Sequence, residues 1–148
     1  ARARIENLEL PANSLPGSVL QDGSVPASKL QGAPLVYEVQ ATSSVSSSTS
    51  TVASQTFGPK NLAAGTWLAL ATLQVTRNGS GNGYGKLSLL SGGSTLVSLT
   101  ESVSSSNPNA VLSLVARLAL GTTTAISVKV EAQYATVSSG EVLFLKLA

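Results

Sequence analysis

Thr124-Ala125-Ile126-Ser127-Val128-Lys129-Val130-Glu131-Ala132-Gln133-Tyr134 alternates along its whole length. Ile126, Val128, Val130, Ala132 and Tyr134 fall on one side, and Ser127, Lys129, Glu131 and Gln133 on the other. A period of two means a strand with one face buried and one in water. The same reading extends outward. Leu35 to Ala41, Thr66 to Thr76, Lys86 to Ser91, Thr95 to Val103, Ala110 to Leu120 and Val142 to Leu147 are predicted strands. The Ser/Thr-rich stretch Thr42 to Thr56 is predicted to be an edge strand with a loop. Turn residues separate the runs: Asn78-Gly79, Gly92-Gly93, Asn107-Pro108-Asn109, Gly121 and Ser139-Gly140. No segment carries a convincing helical period. Ala110 to Leu120 has helix-forming Leu and Ala, but a turn precedes it and Gly121 with three threonines follows. About eight strands predict an all-β protein, with a jelly-roll β-sandwich over residues 34–148.

Two strands break the pattern of one wet face. In Ala110 to Leu120, Leu112, Leu114, Leu118 and Leu120 share one side while Val111, Val115 and Ala119 hold the other. At the end of the chain, Leu143, Leu145 and Leu147 oppose Val142 and Phe144. A single sandwich covers only one face of each sheet. The second face is therefore expected to meet another copy of the chain in a homotrimer, with Leu114, Val115, Leu118, Phe144 and Leu145 at the subunit interface.

Residues 1–33 differ in texture. Pro11, Pro16 and Pro26, with Pro34 at the edge, are four of the six prolines. Leu10-Pro11-Ala12-Asn13-Ser14-Leu15-Pro16-Gly17 aligns with Val25-Pro26-Ala27-Ser28-Lys29-Leu30-Gln31-Gly32 as two degenerate repeats. Proline removes backbone donors, and so few residues cannot bury their own apolar side chains. The segment is expected to be an extended attachment arm that orders against a partner. Arg2 and Arg4 offer charge to an acidic surface, and Leu8, Leu10, Leu15, Val19, Leu20, Val25 and Leu30 offer apolar anchors. The chain opens on Ala1 without Met, which reads as removal of an initiator close to a natural start.

The composition excludes much chemistry. Among 148 residues there is no His, Cys or Met, and only 11% are charged, well below the ~25% of an average chain. Disulfides, thiolate metal sites, Cys nucleophiles and every imidazole mechanism are ruled out. No enzyme, cofactor or metal is expected. Lys29, Lys60, Arg77, Lys86, Arg117, Lys129 and Lys146 are scattered, so a net charge of +2 does not point to nucleic acid. No run reaches the ~20 apolar residues of a membrane-spanning helix. The loop Arg77-Asn78-Gly79-Ser80-Gly81-Asn82-Gly83-Tyr84-Gly85-Lys86 fails both phosphate-binding spacings, since Ser80 and Leu87 stand where a P-loop needs Gly and Ser or Thr. It is expected to be an exposed hairpin tip, with Tyr84 as the best single candidate for ligand contact. Glu38, Glu101, Glu131 and Glu141 lie on separate elements and are expected to be solvated. Trp67, beside Leu68 and Leu70, is expected in the core.

Gln21-Asp22-Gly23-Ser24-Val25-Pro26-Ala27-Ser28-Lys29-Leu30 resembles the short repeats of bacteriophage fibres, over about residues 8–32. The remainder, with Ala64-Gly65-Thr66-Trp67-Leu68-Ala69-Leu70 as a Gly-aromatic strand opening, looks like the trimeric TNF-like jelly-roll knobs that cap phage fibres and capsid decoration proteins. The resemblance implies a non-enzymatic virion protein. The short chain, without a long shaft, favours a capsid decoration protein or short head fibre that docks by its arm on the major capsid protein or another virion protein. The alternative is the receptor-binding tip of a tail fibre, with a host-surface glycan as its partner.

Overall fold

The computed structural model describes residues 35–148, and its contacts divide the chain between Leu35 and Val36. The expected arm anchors Arg2, Arg4, Leu8, Leu10, Leu15, Val19, Leu20, Val25 and Leu30 lie outside the described residues. Ten strands follow one another: β1 Tyr37–Thr42, β2 Val45–Ser47, β3 Ala53–Leu62, β4 Gly65–Arg77, β5 Gly83–Ser91, β6 Ser94–Val103, β7 Asn109–Leu120, β8 Thr124–Gln133, β9 Ala135–Val137 and β10 Gly140–Lys146. They form two antiparallel sheets that pack face to face as a β-sandwich.

The thirteen-residue β4 is the spine of the first sheet. β7 runs along one side of it from Gly65↔Leu120 to Thr76↔Asn109. Its other side is shared by β10 and then β9, with β1 and β2 beyond them. The second sheet has the order β3-β8-β5-β6.

The core is what the alternation in β8 demands. Ile126, Val128, Val130 and Ala132 are buried, as are Leu87 and Leu89 of the neighbouring β5. From the first sheet they meet Trp67, Leu73, Val75, Leu112, Val142 and Phe144. Trp67 is 1% exposed, and its Nε1 donates to the carbonyl of Ala63 at 2.9 Å, so its one polar atom is satisfied. Thr42 is less well served. Its buried Oγ1 finds no partner among the described residues. Thr42→Val keeps the shape and removes the unpaired hydroxyl, so it is expected to raise stability by about 1 kcal/mol, readable as a higher urea midpoint.

Three departures from the sequence reading have physical causes. β3 runs on past Thr56, where the expected edge strand and loop end, because a register shift between Phe57 and Lys60 lets the strand resume against Ile126. The three-residue β9 is too short to leave a pattern. Tyr134 does not continue the buried side of β8: at φ +48° it turns the chain out of the second sheet and into β9 of the first.

Candidate functional site

The expected interface residues separate by the side of the strand they occupy. Leu114, Leu118 and Phe144 point into the sandwich and are buried, so they are core side chains. Val115 and Leu145 lie on the outer face of the first sheet, Val115 with 69% of its surface exposed. The register shows what surrounds these two. One rung across the sheet reads Tyr37, Leu145, Leu68 and Arg117; the next reads Val39, Leu143, Leu70 and Val115. Seven of these eight side chains are apolar or aromatic, on four neighbouring strands. Further along, the same face turns polar at Glu141 and at the Thr72↔Ser113 pair.

Leu68 and Leu70, expected beside Trp67 in the core, lie half-buried on the outer face for a specific reason. In Trp67-Leu68-Ala69-Leu70-Ala71 the leucines face outward, while Ala69 and Ala71 face the core. Ala69 stands opposite the fully buried Phe144. A small inner residue makes room for that ring, and the larger apolar side chains are left on the outside. This inversion of size is the sequence signal that was available.

A second feature lies at one end of the sandwich. The glycine loop between β4 and β5 is not the expected hairpin tip, because the two strands lie in different sheets and the loop crosses from one to the other. Arg77 Nε donates to the Gly81 carbonyl at 3.1 Å and Arg77 Nη2 to the Ser80 carbonyl at 2.6 Å, closing the loop on its own guanidinium. The Asn78 amide nitrogen donates to Ser46 Oγ at 2.8 Å, and its backbone N–H to the Tyr134 carbonyl at 2.8 Å. The glycines fit around Tyr134. A Cβ on Gly81 would stand 2.5–2.7 Å from the Tyr134 ring, and one on Gly83 would overlap the Gln133 carbonyl oxygen. These glycines allow the loop to lie on an aromatic ring of the protein itself.

Where this loop enters β5, Tyr84 sits in register with Gln133 of β8 on one side and Ser102 of β6 on the other. The three line an open cleft of about 450 Å³, together with Asn82, Thr100, Ser104 and Asn107. No charged side chain lines it. One rung away, Glu131 is flanked by Lys86 at 3.9 Å and Lys129 at 3.7 Å, a partly exposed charge cluster of small energetic weight. Glu38, Glu101 and Glu141 stand on three other strands, and no group of three metal-ligating side chains forms among the described residues. No described helix is long and apolar enough to cross a membrane. Comparison with protein families and with curated proteins returned no match.

Proposed function

We propose that this chain is a non-enzymatic virion structural protein, a trimeric capsid decoration protein or short head fibre that docks on a capsid or other virion protein by residues 1–33. The apolar outer face of the first sheet carries this reading. Tyr37 and Val115 at its two ends are exposed, Val39, Leu68, Leu70, Leu143 and Leu145 between them are half-buried, and a contiguous solvent-facing apolar patch marks an interaction site. The patch runs from Tyr37 on β1 at one edge to Val115 on β7 at the other, so it spans the width of the sheet. A closed ring of three brings each copy against two neighbours, and a patch with two flanks suits that heterologous contact. The strand order supports a jelly-roll knob of the TNF-like kind, in which such a sheet lines the three-fold axis. Arg117 on the edge strand β7 discourages open-ended pairing of that edge with other chains.

In this assembly the arm supplies attachment and the sandwich supplies bulk and reinforcement. Proline restricts the backbone before docking, so a proline-containing arm loses less entropy on binding. A variant lacking residues 1–33 is expected to form the same knob, with the mass of three shortened chains in sedimentation equilibrium, and to leave stripped particles bare in electron micrographs. Particles decorated as fully by this variant as by the whole chain would remove the arm from the attachment role.

A further inference from the structure

We infer that the cleft around Tyr84 is a binding site for a neutral saccharide. The inference stands apart from particle docking and rests on the chemistry of the cleft wall. Its polar side chains are the amides of Asn82, Asn107 and Gln133 and the hydroxyls of Thr100, Ser102 and Ser104. Each of these groups both donates and accepts, as each hydroxyl of a sugar does. An apolar ligand finds little here to bury against, in contrast to the mostly apolar lining usual for small-molecule sites of ~300–1,000 Å³. An anionic ligand finds no Arg or Lys on the wall, and the nearby Lys86 and Lys129 already flank Glu131.

The strand register provides the arrangement. Gln133, Tyr84 and Ser102 lie on one rung of three adjacent strands, so their side chains share the outer face of the sheet. The half-buried Tyr84 offers a flat ring for the C–H face of a pyranose, with polar groups on both sides of it. Gln133 is pre-oriented: its Nε2 donates to the Ser50 carbonyl at 2.7 Å, which leaves Oε1 to accept from a ligand. Asn107 sits on a turn closed by reciprocal bonds with Ser104, N–H to carbonyl at 3.0 and 3.2 Å. Two of the wall residues are thus held in place before any ligand arrives, which lowers the ordering cost of binding.

The test is titration of the full-length, isotope-labelled protein with the methyl glycosides of glucose, galactose and mannose, with N-acetylglucosamine, and with N-acetylneuraminic acid as the anionic probe. At least one neutral sugar is expected to give saturable amide shifts centred on Tyr84, Ser102, Asn107 and Gln133. Tyr84→Ala and Asn107→Ala are each expected to weaken that binding about tenfold while the melting temperature stays that of the parent. Absence of saturable shifts with every neutral sugar overturns the proposal. So do shifts centred elsewhere, or binding unchanged in both variants. Stronger binding of N-acetylneuraminic acid overturns the assignment to neutral sugars.

Discussion

Phe144→Asp is expected to abolish folding, whereas Leu145→Asp, the next residue along the same strand, is expected to leave a folded sandwich that no longer associates. Phe144 is fully buried against the core of the sandwich. Removing a buried Phe side chain costs about 3–5 kcal/mol, and a carboxylate in its place adds an unpaired buried charge. Whole domains are stable by only ~5–15 kcal/mol, so little or nothing is left. Leu145 points the other way, into the rung formed with Tyr37 and Leu68. A carboxylate there is hydrated in the monomer and is desolvated only when another copy covers the face. Circular dichroism should show a native strand spectrum for Leu145→Asp and its loss for Phe144→Asp. Sedimentation should show Leu145→Asp as a monomer. A Leu145→Asp protein that sediments as a trimer places the interface elsewhere.

The same pair of residues shows how far the sequence can be read. Strict alternation in β8 announced a strand and its buried side, because polar and apolar residues take opposite faces there. In β7 and β10 both faces carry large apolar residues. Alternation then assigns residues to two sides without saying which side is the core, so the sequence does not separate Leu114, Leu118 and Phe144 from Val115 and Leu145. The pairing of Ala69 with Phe144 resolves it, and that contact joins residues 75 positions apart. The cleft follows the same rule. Tyr84 was visible as a lone aromatic in a glycine loop. Its neighbours Ser102 and Gln133 come from strands that only the sheet register sets beside it. The glycines of that loop read as an exposed hairpin tip; at Gly81 and Gly83 they instead admit the protein's own Tyr134 and Gln133.

That last point sets up the second large effect. Gly83→Ala is expected to destabilise the sandwich by about 3 kcal/mol or more, in the range that marks steric conflict in a packed region. Its Cβ would overlap the Gln133 carbonyl oxygen, which is backbone in β8 and cannot turn aside without opening the β5–β8 pairing. Gly81→Ala conflicts with different atoms. The three nearest to its Cβ, at 2.5, 2.6 and 2.7 Å, all belong to the Tyr134 ring, a side chain that can be removed. Tyr134→Ala should therefore rescue Gly81→Ala and leave Gly83→Ala as damaging as before. In a double-mutant cycle this appears as a coupling of about 1–3 kcal/mol between positions 81 and 134 and a much smaller one between 83 and 134. Gly121→Ala is the control, since a Cβ there meets nothing within 4 Å and the residue has no positive φ. It should be neutral or stabilising by up to ~1 kcal/mol, through the entropy of the unfolded chain alone. Because the loop carries Asn82 and leads into Tyr84, the cycle also separates two origins of any sugar binding. If binding needs the loop seated on the ring, Tyr134→Ala weakens it even where stability is retained; if only the strand rung matters, binding survives the loss of Tyr134.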